Sequence, residues 1–440
     1  MSQYQTEYDP ILQKMGIANL NEMQLATITA ATEHNNVILF SNTGTGKTLA
    51  FLLAVHKQLT QPYTGTTLLI IVPSRELAMQ IEKVYKTMGL PQKITCCYGG
   101  HKRETEENNL TEAPTIIVGT PGRLADHLKR FNINKNTITT VILDEFDKLL
   151  EQNFGNEMEY ILNQLKNVSH KILTSATELK HFPSYLNYEN AYTLNYLAEQ
   201  KNTILEINLL RCKDKDKLAE AFQLLCYIGA KSTILFCNHR ESVERVSLYL
   251  TQNGLSNQYY HGAMEQQERD SALCKFRNGT VNYLVTTDLA SRGLDIPNIR
   301  HIIHYHIPST EEIFTHRNGR TARMDASGTV TILLSAEEVM PNYVPTIDSE
   351  IILPTETVLP PKPKWSTLFV AAGKKDKVNK IDIVGFLTNK GNLKKEDIGI
   401  IDVKDFFSFV AVKKTLVNEL LLRIKMEKIK NKKVTIVMAK

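Results

Sequence analysis

Short runs of β-branched and other apolar residues alternate with longer stretches of helical periodicity along the first three quarters of the chain. Runs of about four to six residues between helical segments are typical of parallel sheets that helices cover on both faces. The pattern therefore predicts two α/β domains in tandem. The predicted strands are Asn36–Phe40, Leu68–Val72, Ile116–Val118, Val141–Leu143 and Lys171–Thr174, followed by Thr233–Phe236, Tyr283–Thr286, Ile299–His304 and Thr329–Leu334.

The pattern changes after residue 338, where prolines become frequent and favour an extended, semi-rigid spacer. Beyond Trp365 the order strand, helix, strand, strand, helix, strand is that of an RNA-recognition-motif fold, an α+β domain. We therefore expect domains at residues 1–197 and 203–345, a proline-rich linker at 346–364 and a small domain at 365–440.

Composition and charge narrow the class of protein. Hydrophobic residues make up 42% of the 440 positions and charged residues 22%, which is typical of a soluble globular chain. Residues 365–440 hold 17 Lys or Arg against 8 Asp or Glu, whereas the rest of the chain has an acidic balance. The basic C-terminal segment suggests a polyanionic partner.

Neither the cysteines nor the N-terminal residues are typical of an exported or a membrane protein. The six cysteines have no spacing suited to zinc and are typical of reduced thiols in a cytosolic protein. The first residues lack a leader pattern, and no apolar run approaches a membrane span. We expect a cytoplasmic protein without a membrane partner.

A phosphate-binding loop follows the first predicted strand. Gly44 and Gly46 allow the backbone to turn its N–H groups toward a polyphosphate at a helix N-terminus. Lys47 would neutralise the β and γ phosphates, and the Thr48 hydroxyl would ligate Mg²⁺. Ser41 stands where this motif usually has glycine.

A cluster of carboxylates follows the strand Val141–Leu143. Ligands bind at the carboxyl edge of open α/β sheets, so the position of these carboxylates favours a ligand-binding site. Asp144 would hold the metal through water, and Glu145 would orient or deprotonate the attacking water. Together with the phosphate-binding loop, this cluster predicts hydrolysis of a nucleoside triphosphate.

At this point the chain resembles the DEAD-box RNA helicases, across nearly all of residues 16–335. The resemblance rests on Gln24, Ser41–Thr48, Pro73–Ala78, Thr120–Arg123, Asp144–Asp147, Ser175–Thr177 and, in the second half, Phe236–Arg240, Thr286–Asp295 and His316–Arg323. It implies two RecA-like domains, ATP and Mg²⁺ as cofactors, and hydrolysis that requires closure of the two domains on ATP and RNA.

The resemblance also assigns residues. It implies that Gln24 reads adenine, that Ser41, Asn42, Thr43, Gly44, Thr45, Gly46, Gly293 and Asp295 complete the ATP site, and that Arg317 and Arg320 contact the γ-phosphate. It implies that Ser175, Thr177, Asp147 and His316 couple the domains. RNA contacts are expected from Pro73, Arg75, Gly99, Gly100, Thr120, Gly122, Arg123, Arg240, Gln266, Arg269 and Thr287.

Two departures stand within these motifs. Phe146 replaces the alanine usual in the family, and we expect only a local repacking near Ser175 and Thr177. Ile17 stands where an aromatic ring would stack on adenine, so the affinity or selectivity for ATP is expected to be weaker.

In the C-terminal domain, alternation along a strand places Phe407 and Phe409 on one face, and Phe369 on the neighbouring strand would complete a stacking platform for bases. The alternative is that these rings pack under a helix. Lys374, Lys375 and Lys377 would neutralise phosphates. The run Ala372–Lys377 with Asp382–Phe386 and Asp397–Asp402 is similar to the DbpA RNA-binding domain, which implies a structured RNA, ribosomal RNA foremost.

These observations predict an ATP-dependent RNA helicase that remodels RNA duplexes, on ribosomal RNA during large-subunit assembly. Alternatives are a general RNA chaperone, an RNA-decay or cold-shock helicase, and a non-enzymatic RNA-binding protein with a decayed ATPase core. A DNA helicase of the same superfamily is a further alternative, although no DNA partner is expected.

Overall fold

The computed structural model describes residues 3–42, 44–59, 65–100, 103–151, 154–179, 181–188, 190–197, 205–291, 299–321, 328–430 and 432–439. The chain divides near residue 202 into two compact units. In these residues no helix is long and apolar enough to cross a membrane.

The first unit is a sheet with helices on both faces. Its strands are β1 (Asn36–Ser41), β2 (Leu68–Ile71), β3 (Ile94–Cys97), β4 (Ile116–Gly119), β5 (Thr140–Leu143), β6 (His170–Ser175) and β7 (Tyr192–Tyr196). Its helices are α1 (Gln3–Met15), α2 (Glu22–Glu33), α3 (Lys47–Ala54), α4 (His56–Leu59), α5 (Arg75–Met88), α6 (Arg103–Thr111), α7 (Pro121–Lys129), α8 (Phe146–Glu151) and α9 (Gly155–Gln164).

All seven strands are parallel, in the order β3-β4-β2-β5-β6-β1-β7. Successive side chains of a strand point to opposite faces, so each strand supplies two cores. Ile70 and Ile142 belong to one buried cluster, and Leu69 and Val141 belong to the other. This explains why the strands read as continuous apolar runs.

The second unit contains a similar sheet. Its strands are β8 (Leu205–Cys212), β9 (Thr233–Phe236), β10 (Asn257–Tyr260), β11 (Tyr283–Thr286), β12 (His301–His304), β13 (Gly328–Ser335) and β14 (Ser349–Glu350), and its helices are α10 (Leu218–Ile228), α11 (Arg240–Gln252), α12 (Gln266–Arg277) and α13 (Glu311–Asn318). The order is β10-β11-β9-β12-β13-β8-β14, again parallel. The two predicted parallel-sheet domains are confirmed.

The C-terminal domain belongs to the second unit. It comprises β15 (Trp365–Val370), α14 (Lys380–Asn389), β16 (Ile398–Val403), β17 (Ser408–Lys413), α15 (Val417–Ile424), a hairpin of β18 (Lys428–Ile429) and β19 (Lys432–Lys433), and β20 (Ile436–Met438). The antiparallel sheet has the order β16-β17-β15-β20. The predicted α+β fold is confirmed, and the short hairpin is an addition to it.

Residues 346–364, which we call the strap, are extended but take part in the fold of the second unit. Ser349 and Glu350 pair in parallel with β8, which makes β14 the edge strand. The Asp348 carboxylate accepts from the backbone N–H of Ile207 at 2.7 Å, and Ile351 N–H donates to the carbonyl of Leu209 at 2.7 Å. The strap is therefore attached to this unit through β14, and its Ile351 and Leu353 side chains pack against the buried core, where the sequence predicted only a spacer.

One face of the C-terminal sheet contacts the C-terminal end of α12. Thr367 Oγ1 lies 3.2 Å from Asn278 Nδ2 and 2.7 Å from Thr280 Oγ1. Arg277 Nη2 donates to Asp402 Oδ2 at 2.7 Å. We call this contact the docking surface.

Charge complementarity accompanies the docking surface. Lys404 Nζ lies 3.1 Å from Asp402 and 3.8 Å from Asp270 on α12. Burial alone would raise the pKa of Asp402, but Lys404 and Arg277 outweigh it and lower the pKa to about 2. Asp402 is therefore ionised at neutral pH and paired with a cation from each side of the contact.

Candidate functional site

The phosphate-binding loop joins β1 to α3. Gly44 and Gly46 have φ values of 85° and 90°, the left-handed region that favours glycine. Lys47 Nζ donates to the carbonyls of Ser41 (2.5 Å) and Asn42 (2.7 Å), so the ammonium lies inside the loop. The Ser41 hydroxyl lies 2.9 Å from that of Thr45, which links the two ends of the loop.

Gln24, which the resemblance predicts to read adenine, lies against this loop. Its Nε2 lies 3.4 Å from the Gly46 carbonyl, and its Oε1 accepts from the Asn21 N–H at 3.0 Å. A Cβ on Gly46 would lie 2.5 Å from Gln24 Nε2, and the φ of 90° favours glycine there in any case. Asn21 Nδ2 donates to the Thr45 carbonyl at 3.0 Å, which ties α2 to the loop.

The carboxylates follow β5, and β6 separates β5 from β1 in the sheet. Asp144 is 3% exposed and Asp147 is 5% exposed. Burial raises the pKa of Asp144, while the hydrogen bond from Thr174 and the charge of Lys47 oppose that effect. Phe146 is fully buried in the core that includes Leu143 and Leu149.

Glu145 has a left-handed backbone with φ 51°. This conformation costs a non-glycine residue about 1–2 kcal/mol, and such residues cluster at functional sites. It marks the turn by which the chain leaves β5 and enters α8, and it determines how the Glu145 side chain is presented at the sheet edge.

The segment Ser175–Thr177, which we call motif III, begins at the last residue of β6. Thr177 Oγ1 donates to Asp147 Oδ2 at 3.3 Å, as the resemblance implies for a coupling residue. The Ser175 hydroxyl instead donates to the carbonyl of Thr177 at 2.6 Å. Ser175 thus shapes the turn that presents Thr177 to the acid.

The donor set at this edge suits Mg²⁺, which prefers oxygen ligands and retains several waters. The Asp144 carboxylate is almost buried with a raised pKa, an environment that a divalent cation would compensate. Thr48, in the first turn of α3, supplies a hydroxyl. Asp144 and Thr48 are therefore the residues that would hold the ion.

The predicted RNA-contacting segments of the first unit follow β2, β3 and β4, three neighbouring strands. A Cβ on Gly100 would lie 2.5 Å from Arg75 Nη1. The Thr120 N–H donates to the Cys97 carbonyl at 3.0 Å, and Arg123 Nε lies 3.4 Å from the Tyr98 carbonyl. The fold brings these segments together, and they include Pro73, Gly99 and Gly122 as well.

No sequence motif contains Glu106, which links two of these segments. Its buried carboxylate accepts from the Tyr98 N–H at 3.0 Å and lies 2.8 Å from His127 Nε2 and 3.2 Å from Arg123 Nε. Cys97 lies beside it, and the three side chains Cys97, Glu106 and His127 could geometrically hold a metal ion. Arg123 already supplies positive charge to this carboxylate.

We expect Glu106→Gln to weaken RNA binding, because one of its acceptor oxygens would become an NH₂ donor that faces either the Tyr98 N–H or the side chains of Arg123 and His127. A mispaired buried group costs about 1–3 kcal/mol, so the RNA concentration for half-maximal ATPase stimulation should rise about tenfold. Glu104→Gln on the exposed side of α6 is the matched control. An unchanged RNA dependence in Glu106→Gln would contradict the assigned role.

In the second unit, Arg317 is fully buried and its guanidinium bonds within the unit. Nε donates to Asp288 at 2.5 Å, Nη1 to the His306 carbonyl at 3.0 Å, and Nη2 to Asn238 Oδ1 at 2.8 Å. Arg317 thus joins the loops that follow β9, β11 and β12. Arg317 therefore holds these loops together in this structure, and its contact with the γ-phosphate stays a prediction.

The other predicted site residues of this unit differ in burial and in their contacts. Arg320 and His316 are buried, at 6% and 3% exposure. On α12, Arg269 Nη2 donates to Gln266 Oε1 at 2.6 Å, so these two predicted RNA contacts adjoin. Arg240 is exposed at the start of α11, and Thr287 follows β11. Thr43, Gly293 and Asp295 lie outside the described residues.

Phe409, which the sequence places either in a stacking platform or under a helix, is 1% exposed. The rings of Phe369 and Phe407 lie 5.8 and 5.5 Å from it, so the three do share one face as the alternation predicted. That face also carries Thr367 and Asp402, which form the docking surface. Phe409 is therefore buried beside the contact with α12, whereas Phe369 and Phe407 remain partly exposed.

A basic, loop-built surface remains exposed next to the docked sheet. The N–H groups of Lys374 and Lys375 donate to the carbonyls of Lys404 (2.9 Å) and Asp405 (2.8 Å), which holds the lysine loop against the β16–β17 turn. Phe406 in that turn is 62% exposed. We call this surface the basic edge; it comprises Lys374, Lys375, Lys377, Phe406, Lys430 and Lys432.

Three family models match the chain. They are the DEAD/DEAH box helicase at residues 21–181, the helicase conserved C-terminal domain at 216–325, and the DbpA RNA binding domain at 367–437. The matches cover both parallel-sheet domains and the docked domain.

Among curated proteins, the chain is 29% identical to the ATP-dependent RNA helicase DbpA of Escherichia coli, over 96% of this chain and 94% of the relative. It is 30% identical to the DEAD-box ATP-dependent RNA helicase CshA of Bacillus subtilis, over 74% of this chain and 67% of that protein. It is 33% identical to the maize chloroplastic DEAD-box ATP-dependent RNA helicase 3B, but spans only about half (49%) of that relative's length.

Among solved structures, the chain is similar to S. cerevisiae Dbp5 bound to RNA and ADP BeF3, with a TM-score of 0.67 and 25% identity. The match covers 77% of this chain and 88% of that one. The tandem-domain fold is thus shared with a protein whose structure contains RNA and a nucleotide analogue.

Proposed function

Because this chain belongs to the DEAD-box family of helicases, we propose that it is an ATP-dependent RNA helicase that couples ATP hydrolysis to the remodelling of RNA duplexes. The observation that carries the proposal is the carboxyl edge of the first sheet, where Lys47 follows β1 and Asp144 and Glu145 follow β5, with β6 between these two strands. These residues are suited to phosphoryl transfer to water.

Each residue has a stated part in this reaction. Lys47 neutralises the terminal phosphates, and Glu145 orients the attacking water and accepts its proton. Mg²⁺, held by Asp144 and Thr48, would offset phosphate charge when bound. Arg320 adds positive charge at the γ-phosphate, while Arg317 holds the loops of its own unit.

We further propose that the basic edge of the C-terminal domain binds a structured RNA, with ribosomal RNA of the large subunit as the substrate class. The match to the DbpA RNA binding domain supports this. So does the charge of this domain, since lysines that neutralise phosphates give affinity without reading bases. The docked domain would then bring the helicase domains to duplexes near its RNA.

The test measures ATP turnover and strand separation with an rRNA hairpin flanked by a duplex, an unrelated RNA of equal length, and DNA of the same sequence. We expect turnover with both RNAs, about tenfold lower half-maximal concentration for the rRNA, and little with DNA, which lacks the 2′-hydroxyl. Equal stimulation by DNA would refute the RNA helicase. Equal response to both RNAs would refute the ribosomal target alone.

Lys374→Ala with Lys375→Ala should abolish that preference while leaving turnover at saturating RNA unchanged. Lys394→Ala with Lys395→Ala removes the same charge from another exposed position of the domain and is the matched control. A similar loss in both double variants would mean that net charge, and not the basic edge, provides the preference.

A further inference from the structure

Thr174 is the last residue before motif III and is fully buried. In the pairing of β5 with β6, Leu143 lies opposite Leu173, so Asp144 and Thr174 come next to each other at the edge of the sheet. The Thr174 hydroxyl donates to Asp144 Oδ1. A residue outside the recognised motif thus contacts a carboxylate of the site.

The same hydroxyl also faces the backbone of Glu145. The Glu145 N–H donates to Asp144 Oδ1 at 3.1 Å and lies 3.4 Å from Thr174 Oγ1. Thr174 therefore donates to one group and accepts from the next, which a hydroxyl can do and an aliphatic side chain cannot. The three groups form a closed set of hydrogen bonds around the left-handed turn at Glu145.

We propose that Thr174 is a positioning residue for ATP hydrolysis, which holds Asp144 in place and keeps the Glu145 backbone in its left-handed conformation. The inference rests on the proposed function, because that function assigns metal binding to Asp144 and orientation of the attacking water to Glu145. Thr174 itself touches neither nucleotide nor water in this assignment. It acts by fixing where the Glu145 carboxylate stands.

The position of Thr174 in the chain adds a second consequence. Three residues later, Thr177 donates to Asp147, so the end of β6 holds the acidic segment at both ends. A shift of this strand end would move Asp144, Glu145 and Asp147 together. Motif III is thereby joined to hydrolysis through a residue that precedes it.

Thr174→Val tests this, because valine keeps the shape and removes both hydrogen bonds. Misplacement of the water-orienting group should lower kcat of RNA-stimulated ATPase about tenfold or more, whereas KM for ATP and the affinity for a fluorescent non-hydrolysable ATP analogue should stay within about twofold. Thr174→Ser, which retains the hydroxyl, should recover most of kcat.

Thr140→Val is the matched control. Thr140 is also buried, lies at the opposite end of β5 and bonds Gln58 at 2.8 Å, far along the strand from the carboxylates. It should leave kcat unchanged. Melting temperatures of all variants separate positioning from loss of stability.

Three results would overturn the inference: kcat of Thr174→Val close to wild type, Thr174→Ser as slow as Thr174→Val, or kcat and analogue affinity falling together with the melting temperature. If the wild-type chain itself shows no RNA-stimulated turnover, the proposed function fails and this inference fails with it. Wild-type turnover with an unaffected Thr174→Val overturns only the inference.

Discussion

Glu145→Gln is expected to lower RNA-stimulated ATP hydrolysis by about 10²–10⁴-fold while leaving ATP binding nearly intact. General-base and water-orienting groups contribute rate effects of this size. Glutamine has the same size as glutamate, and its backbone N–H still donates a hydrogen bond to Asp144 Oδ1, so the local turn should persist. Single-turnover hydrolysis and equilibrium binding of a fluorescent ATP analogue would measure the two effects separately.

Lys47→Ala provides the contrast. Lys47 Nζ lies inside the phosphate-binding loop, bonded to the Ser41 and Asn42 carbonyls, and is placed to bind phosphate. Its loss should therefore remove both nucleotide binding and turnover.

Glu159→Gln, an exposed change on α9, is the control for Glu145→Gln. Turnover of Glu145→Gln within about tenfold of wild type would contradict its role.

Asp402→Lys is expected to detach the C-terminal domain from α12. The change places a third cation between Arg277 and Lys404, which now share the Asp402 carboxylate. Breaking a partly buried pair in this way costs about 2–3 kcal/mol, more than an exposed pair would. RNA affinity of the domain should persist, but stimulation of ATPase by its preferred RNA should fall about tenfold.

Two further variants check the cause of that loss. Arg277→Glu combined with Asp402→Lys restores one opposite-charge pair and should recover part of the stimulation. Cysteines at Thr280 and Thr367, whose hydroxyl oxygens lie 2.7 Å apart, should crosslink in the wild-type background and not with Asp402→Lys. Glu396→Lys, an exposed charge reversal in the same domain, should behave as wild type. Crosslinking that persists in Asp402→Lys would contradict detachment.

Much of the fold follows from local pattern. Thr233–Phe236 and Tyr283–Thr286 are strands at the predicted bounds, because a strand buried on both faces is a continuous apolar run. Strands with polar side chains were missed. In β10, Asn257 is buried because its amide bonds Ser247 and Thr251, and periodicity carries no sign of such a network.

The residues of the candidate site likewise fall into those that a local motif predicts and those that it does not. Lys47 and the carboxylates stand in local motifs, and the sheet order brings them to one edge. Glu106 and Thr174 have no motif, since their importance comes from contacts across 17 and 30 positions. The shared aromatic face was predicted with packing under a helix as one alternative, but the sequence could not show that α12 lies against this face, because α12 is some 90 residues away in the chain.

The attachment of the strap bears on self-association. A long parallel strand at the edge of a sheet presents a row of unpaired N–H and C=O groups, which is a template for pairing with another copy. Asp348, β14 and Ile351 satisfy part of that row on β8, between Ile207 and Leu209. A shortened chain that ended before residue 346 would expose these groups of β8. The strap therefore also reduces the tendency of the second parallel sheet to aggregate.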